Sequence, residues 1–298
     1  MLAGVHREEV RSDIGEKKAK WLRQGTASVS AVVGVVMLVA VGLSISANSQ
    51  LTKSAQALSS GDGDINSIVD AGLKVVPGHP FLLNQSIAVN IQIYEQTKDT
   101  QYLDLAAARV EKLAKAEPNY APLPNLQALL LQKQGDIEAA AKTYEVAATE
   151  RPYFQWYYDG AFNVRAELLD QARKDGNASE IEYQSEAIRA MYGTVETRLA
   201  SLQRDMPKEL VFSAQFGVTS AVRYAMGLVE FTAGDYEKAI TMTQPGVTEA
   251  LEDPSIRSVA RVYLAALRKQ GQDDAALNKK LIAADAGEAD KLESLIAM

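Results

Sequence analysis

The chain contains no cysteine and only two histidines among its 298 residues. Without cysteine there is no disulfide, no thiolate nucleophile and no cysteine-ligated zinc site. The two histidines, His6 and His79, lie far apart in the sequence and form no His-x-x-x-His pair. A glycine-rich phosphate loop and a Gly-x-Ser-x-Gly turn are also missing from the sequence. We therefore expect a protein that is not an enzyme and that has no catalytic residue, cofactor or metal.

The chain also has fewer basic than acidic residues. It contains 31 basic and 38 acidic residues, so its formal net charge is −7. Binding to nucleic acid depends on clustered Lys and Arg side chains that neutralise phosphates. An acidic chain is poorly suited to that task, so we expect no nucleic acid among its partners. A local basic cluster does occur near the N-terminus, and it consists of Lys17, Lys18, Lys20 and Arg23.

Residues 26–48 contain no charged side chain and are mostly apolar. A helix of about 20 apolar residues spans the hydrocarbon core of a bilayer. Basic residues beside a membrane segment tend to stay in the cytoplasm, and the basic cluster precedes this segment. We therefore predict a cytoplasmic tail at 1–25, a single transmembrane helix at 26–48, and an extracytoplasmic chain from residue 49 onward, anchored in the cytoplasmic membrane.

Two further interpretations of this apolar segment stay open. A cleaved signal peptide would place its cleavage site near Ser44 and Ser46, although the apolar run is longer than the roughly 7–15 residues typical of such peptides. Small residues on one face of the helix could also pack against another membrane helix. The candidate packing residues are Ala27, Ser30, Ala31 and Gly34.

The remainder of the chain is rich in alanine, leucine, glutamate, lysine and glutamine, which favour helices. Turn-forming residues recur between segments of about 13 to 25 residues, and no long run alternates apolar and polar residues. This spacing indicates antiparallel helices joined by short turns. We predict a linker at 49–63 and an all-α domain of stacked antiparallel helical hairpins at 64–298.

Residues 125–152 show the pattern that a stacked helical hairpin requires. Gly135 and Asp136 form the turn, small residues mark the points where helices approach closely, and an aromatic side chain fills the gap between helices. This pattern resembles the tetratricopeptide repeat (TPR) over residues 121–154, although Pro124 stands where that family often has an aromatic residue. The matching positions are Ala128, Ala140, Tyr144, Ala147 and Pro152.

A second match to the same repeat lies at residues 227–239. Gly227 takes the place of the small residue in the first helix, and Gly234 takes the place of the turn glycine. Further along, Thr243 replaces the aromatic residue, and Pro245 interrupts the second helix. Because proline cannot continue a helix without a kink or a break, we expect this helix to stop early.

Weaker matches to the repeat lie at residues 82–118 and 264–283. In the second of these the turn falls at Gly271, and Ala276 is predicted at the close approach of the two helices. The resemblance implies a TPR-like α-solenoid, in which stacked hairpins form a curved surface with a concave groove. It says nothing about function, because a repeat fold serves many functions.

Residues 153–205 exceed the repeat length, and we predict that they form a long helix pair divided near 175–177. Aromatic residues crowd the start of this region, and they either pack between two repeat blocks or form an exposed patch. An exposed patch would bind a peptide, a protein partner or a sugar, since aromatic residues are favoured at binding hot spots. The candidates for binding here are Trp156 and Tyr157. The full cluster is Tyr153, Phe154, Trp156, Tyr157, Tyr158 and Phe162.

The repeat alignment also predicts which first-helix side chains face the concave groove. In the first block these are Asn125, Leu129, Gln132 and Lys133. In the second block they are Tyr224, Leu228 and Phe231. Because Leu228 and Phe231 are apolar, either a C-terminal helix at 286–297 covers them or they bind an amphipathic or extended peptide.

The order of an aromatic stretch, a long helix pair, the segment 208–212 and the sequence GDYEKA is similar to the extracytoplasmic repeat tails of O-antigen ligase/polymerase-like membrane proteins. Those proteins carry many membrane helices before the tail, whereas one is predicted here. The resemblance therefore implies an accessory role in the cell envelope and transfers no catalytic residue.

These observations lead us to expect a membrane-anchored scaffold that binds membrane or envelope proteins in a cell-envelope or secretion assembly. Two alternatives stay open. The protein could be an accessory subunit of a large integral membrane complex that packs through its transmembrane helix. It could also be a glycan-handling envelope factor that uses the aromatic cluster.

Overall fold

The computed structural model describes residues 65–75, 77–205 and 216–297, together with positions 49 and 52. Every regular secondary-structure element in these described ranges is helical. The elements are 12 α-helices and one short 3-10 helix. The prediction of an all-α fold is therefore confirmed for this part of the chain. No helix within it is long and apolar enough to cross a bilayer.

Several predictions fall on residues that the structure does not describe. The predicted cytoplasmic tail at 1–25 and transmembrane helix at 26–48 lie outside the described residues, as does segment 208–212. The candidate membrane-packing residues Ala27, Ser30, Ala31 and Gly34 lie outside them as well. These assignments stay predictions from the sequence.

The α-helices are numbered in chain order. The first six are α1 (Ile65–Val75), α2 (Pro80–Thr97), α3 (Gln101–Ala116), α4 (Leu123–Lys133), α5 (Ile137–Glu150) and α6 (Gln155–Lys174). The other six are α7 (Ala178–Asp205), α8 (Ser220–Thr232), α9 (Tyr236–Thr243), α10 (Pro254–Lys269), α11 (Ala275–Ala284) and α12 (Glu288–Ala297). The 3-10 helix η1 (Gln244–Gly246) follows α9 directly.

The chain divides into two compact units. Of the described ranges, the first unit contains residues 65–75, 77–89 and 111–117, and the second contains residues 90–110, 118–205 and 216–297. Within the first unit, the hydroxyl of Ser86 donates to the side-chain oxygen of Asn66 at 3.5 Å and so links α1 to α2. The buried apolar side chains of these two helices include Val69, Leu73, Leu82, Leu83 and Ile87.

The helices of the second unit pack sequentially in pairs. Helix α4 packs on α5, α6 on α7, and α8 on α9, and the second helix of each pair also packs on the first helix of the next pair. The first helices α6, α8 and α10 also contact one another in sequence. Each pair therefore buries its apolar face against its neighbours, and this solenoid-like order confirms the prediction of stacked helical hairpins.

The two Gly-Asp turns found in the sequence are built alike. Gly135 and Gly234 have φ angles of 86° and 79°, which a residue with a Cβ adopts only with strain. The next residue caps the following helix: the Asp136 carboxylate accepts from the Ala139 amide, and Asp235 does the same for the Lys238 amide. These dipeptides therefore end one helix and begin the next.

The weaker C-terminal match departs from this pattern. Gly271 has a φ of 74°, as the predicted turn requires, but the cap is Asp274, so that the turn contains two more residues before α11 begins. Ala276 is exposed, and the prediction that it lies at the close approach of two helices is wrong. The longer turn shifts the register of α11, which buries Leu281 instead.

Tyr144 fills the gap between helices as the repeat pattern predicts. Its hydroxyl donates to the side-chain oxygen of Asn125 on α4 at 2.9 Å. Its ring lies against Gly160 of α6, where an added Cβ would lie 2.4 Å from the nearest ring carbon. Burial of this phenol raises its pKa to about 12. One side chain thus joins three consecutive helices.

Candidate functional site

The aromatic cluster divides into a buried half and an exposed half. The buried half faces the core from α6 and consists of Tyr157, Tyr158 and Phe162. The exposed half, called the aromatic patch below, consists of Tyr153, Phe154 and Trp156. Each of the two interpretations of the cluster is therefore correct for three of its members.

The position at which α6 begins explains this division. The helix starts at Gln155, so that Tyr158 and Phe162 lie four residues apart on its inner face while Trp156 points outward. Tyr157, a predicted partner-binding residue, is fully buried, and its hydroxyl donates to the backbone carbonyl of Ala121. Its side chain is therefore part of the core.

The aromatic patch is held in place by edge-to-face contacts. The rings of Phe154 and Trp156 have centroids 5.5 Å apart and cross at 74°. Tyr153 meets the ring of Phe216 at 5.8 Å and 80°, and Phe216 also contacts the buried Tyr158 at 5.4 Å. Trp156 nevertheless keeps 57% of its surface exposed, and Tyr153 keeps 49%. Tyr153 and Phe154 thus contact buried rings and Trp156 contacts Phe154, while all three rings stay open to a partner.

A second candidate site lies along the first helices, and we call it the groove. Its floor is formed by α6, α8 and α10, and α12 covers it while packing chiefly on α10. Leu292 and Leu295 of α12 are buried there, and Leu295 lines the same pocket as Leu228. The structure therefore favours internal cover by the C-terminal helix over an open apolar groove for Leu228.

A pocket of about 390 Å³ persists between α12 and the floor of the groove. Burial raises the pKa of the Tyr224 phenol in its wall to about 12. Within the same wall, Lys174 forms an ion pair with Asp170 at 2.7 Å. The lining residues are Asp170, Lys174, Tyr224, Leu228, Arg261, Val262, Asp290, Lys291, Ser294 and Leu295.

Arg173 is a buried cation at the edge of the groove, with 6% of its side chain exposed. Its Nη2 donates to the carbonyl oxygen of Leu295 at a long 3.4 Å, and its guanidinium lies 5.3 Å from the ring centroid of Phe231. Its Nη1 makes no hydrogen bond within the described residues, and the Asp170 carboxylate oxygen lies 3.7 Å away. Because burial is the larger effect, the pKa of Arg173 lies below its usual value.

Glu288 anchors the start of α12 to α10. Its side chain is 1% exposed and accepts two bonds from Arg261, at 2.7 and 3.2 Å, and one from Lys291 at 2.8 Å. Burial alone would raise the pKa of Glu288, but the hydrogen bonds and charges of Arg261 and Lys291 outweigh it and hold the pKa below the usual value. Arg257 lies 3.9 Å away and adds to the positive surroundings.

We expect acid to loosen α12. Because the folded-state pKa of Glu288 is lowered, its ionised form stabilises the fold fully above the unfolded value of about 4.3. That contribution is lost as the pH falls through the folded-state pKa. Hydrogen exchange of the α12 amides, corrected for intrinsic rates, should accelerate as the pH falls below about 4.3 and through the lower folded-state pKa.

The Glu288→Gln variant is the control for this acid effect. Its α12 amides should already exchange faster at neutral pH, with little further change in acid, because the titrating carboxylate is gone. Equal pH dependence of the variant and the natural chain would show that another group controls α12.

The groove residues predicted on α4 have internal partners. Asn125 accepts from Tyr144, Lys133 pairs with Glu95, and Gln132 donates to Glu167 at 2.9 Å. Leu129 is half-buried, and none of these residues lines the pocket beneath α12. Of the second block, Tyr224 and Leu228 line that pocket together.

Phe231, the last predicted groove residue, is buried by different partners. Arg173 lies on one face of its ring, and the ring of Tyr236 lies 5.4 Å from it. Sequence reasoning missed Arg173, because nothing in the sequence distinguishes it from the adjacent Lys174. Only the packing of α6 against α8 and α12 buries the first and leaves the second near solvent.

The chemistry available at these surfaces suits noncovalent binding. In the described ranges, no group of three or more His, Asp and Glu side chains is placed to hold a metal ion. The groove offers cations, apolar side chains and a buried phenol, and the aromatic patch offers flat apolar rings. Such groups recognise a polypeptide or a sugar by shape, charge and stacking.

Comparison with known proteins assigns no family. No protein-family model matches the chain, and no curated protein matches it significantly.

Proposed function

We propose that the protein is a membrane-anchored scaffold of TPR type, which holds protein partners at the outer face of the cytoplasmic membrane. The apolar segment 26–48 with its preceding basic cluster supports the anchor and its orientation. The Gly-Asp turns and the buried positions Ala140 and Tyr144 support the kinship with tetratricopeptide repeats. The partners are envelope or membrane proteins of an assembly, and the protein itself is no enzyme.

The observation that carries this proposal is the aromatic patch. Three large rings are exposed side by side on a stack of packed helices, although burial of such rings is strongly favourable. Their contacts with neighbouring rings restrain them before binding. These side chains would therefore lose little conformational entropy when a partner binds. Tryptophan and tyrosine, the residue types of Trp156 and Tyr153, are enriched at the hot spots of protein interfaces.

Trp156→Ala tests the scaffold function. In the full-length protein purified from native membranes, this substitution should weaken retention of copurifying envelope proteins at least about 30-fold, as expected for a hot-spot residue. The fold should be unaffected, because the indole is mostly exposed. Quantitative mass spectrometry of the copurified proteins is the measurement.

Val146→Ala is the matched control, since Val146 is also exposed but lies on α5 outside the patch. It should leave the set of partners unchanged. If the Trp156→Ala protein retains every partner at its natural level, the patch does not bind proteins and the proposal loses its main support.

A glycan is the second candidate ligand, favoured by the exposed rings of Tyr153 and Trp156, which could stack on sugar faces. Binding on a glycan array that Trp156→Ala abolishes would support a glycan-handling factor.

The accessory-subunit alternative has its own test: Ala31→Leu and Gly34→Leu should abolish assembly while the helical domain stays folded.

A further inference from the structure

We propose that the groove formed by α6, α8 and α10 is a binding site for an acidic amphipathic helix, and that α12 occupies it in cis until a partner segment displaces it. This inference rests on the proposed scaffold function and names the chemistry of one class of partner. It concerns a surface separate from the aromatic patch.

Charge complementarity indicates the kind of ligand. The floor and rim of the groove contribute Arg261 and Arg268 from α10, and α12 meets them with Glu288 and Glu293. Arg268 Nη1 lies 2.8 Å from Glu293 Oε1, and Arg261 binds both carboxylate oxygens of Glu288. The surface therefore selects acidic side chains on one edge of a bound helix.

An apolar stripe sets the second requirement. Leu292 and Leu295 are three residues apart, so they lie on the same face of α12, and both are buried. Leu295 faces the pocket that Leu228 and Val262 line from the floor. A ligand helix would therefore carry two or more apolar residues at a spacing of three or four, the pattern of helix-in-groove recognition.

The contact of α12 with the groove is incomplete, so a ligand helix that makes more contacts there would compete with it. A pocket of about 390 Å³ separates part of α12 from the floor of the groove. The nine-tenths buried Arg173 receives from α12 only the carbonyl of Leu295, at 3.4 Å, and its Nη1 makes no hydrogen bond in the described residues. A carboxylate at that point would form charge-assisted hydrogen bonds that a neutral carbonyl cannot equal.

Helix α12 is also suited to detach. It has only 10 residues, and an isolated helix of that length is marginal in water, so α12 gains its order from docking. It follows α11 after the turn at 285–287 and packs chiefly on α10. Its occupancy lowers the apparent affinity of any competing ligand by the fraction of molecules in which the groove is open.

The first experiment uses the full-length protein and a fluorescent synthetic peptide with the sequence of residues 286–298. The substitution Leu295→Asp should release α12, and the peptide should then bind at least about tenfold more tightly than it binds to the natural chain. The matched control is Ile282→Asp, which places the same charge at an exposed apolar position of α11. The control should bind the peptide no better than the natural chain does.

Charge reversal tests the orientation of the bound helix. Adding Arg268→Glu to the Leu295→Asp variant should weaken peptide binding, because it would repel the peptide residue equivalent to Glu293. A peptide carrying Glu293→Arg should restore binding to that double variant and lose affinity for the single one. A non-specific apolar contact would not show this reciprocal pattern.

Several results would overturn the proposal: equal peptide binding to the natural chain and the Leu295→Asp variant, no binding to either, or no response to charge reversal. If the Leu295→Asp variant fails to fold, hydrogen exchange of the natural chain shows whether α12 can leave the groove. Exchange of α12 amides through local opening supports displacement, whereas exchange only together with α10 shows a fixed part of the core. Loss of partners on Trp156→Ala with no peptide binding would keep the scaffold function and reject the groove.

Discussion

Gly227→Ala is expected to lower the free energy of unfolding by about 2 kcal/mol, within the range for overpacked cores. An added Cβ would lie 2.3 Å from the Cγ2 methyl of Thr243, far inside van der Waals contact. The methyl cannot turn away freely, because the Thr243 hydroxyl donates to the Ala239 carbonyl at 2.7 Å and fixes the rotamer. Urea unfolding followed by circular dichroism measures the loss.

Thr243→Ser should rescue this variant. Serine keeps the hydroxyl and its bond to Ala239 but lacks the methyl that collides with the new Cβ. The two substitutions should therefore be strongly non-additive, with a coupling of about 1–2 kcal/mol. Additive effects would show that the clash lies elsewhere.

Gly193→Ala is the matched control for the same change. Gly193 lies within α7, and an added Cβ would meet nothing within 4 Å. Alanine has the higher helix propensity, so this variant should gain about 0.5–1 kcal/mol. A loss at Gly193 similar to that at Gly227 would mean that glycine matters here for reasons other than space.

Arg165→Met is the second large effect, with an expected loss of about 3 kcal/mol from the free energy of unfolding. Arg165 is 2% exposed and binds Glu145 at 2.7 Å and Glu138 at 2.8 Å, both on α5. It also donates to the side-chain oxygen of Gln184 on α7 at 3.0 Å. Methionine would leave these acceptors without a cation between three helices.

The size of the expected loss in unfolding free energy follows from the burial of Arg165 and the partial exposure of its two partners. Desolvation alone would lower the pKa of Arg165, but hydrogen bonds and charges from Glu145 and Glu138 outweigh it and raise the pKa. The two glutamates keep about a third of their side chains exposed, so water can partly replace the guanidinium. The loss should therefore fall at the lower end of the 3–5 kcal/mol typical of broken buried pairs, or about 3 kcal/mol.

Arg204→Met provides the comparison, because Arg204 is 74% exposed and its Asp205 partner is 59% exposed. Water can replace the guanidinium at an exposed ion pair, so this variant should unfold almost as the natural chain does. If Arg165→Met unfolded at the same urea concentration as Arg204→Met, the cluster around Arg165 would contribute no specific stability.

Local features of the fold were predictable because their causes are local. A glycine followed by aspartate ends one helix and caps the next through backbone conformation and a single side-chain bond. Pro245 was predicted to stop the second helix early, and α9 does end at Thr243 before η1. The clash partner of Gly227 could also be anticipated, since Thr243 stands where the repeat places its gap-filling residue.

The candidate sites were predictable only in part, because burial depends on contacts distant in the sequence. Trp156 and Tyr157 are adjacent in the sequence, yet one is exposed and the other fully buried. The repeat pattern predicted that Asn125 faces a groove, and the structure adds that its side-chain oxygen accepts a hydrogen bond from Tyr144 of the next helix. Neither outcome can be read without knowing which helix packs on which face.

By itself, the sequence determined the all-α class, the turns and caps, the hairpin order, and the prediction of one apolar segment at 26–48. Periodicity, glycine conformation and capping act within a few residues, so a linear pattern contains them. Tertiary structure alone decided which aromatic rings stay exposed, that α12 covers the groove, and that the Arg173 side chain is buried with no hydrogen bond to its Nη1 among the described residues. These properties arise where separate helices meet, and their free energy depends on the solvent that each contact excludes.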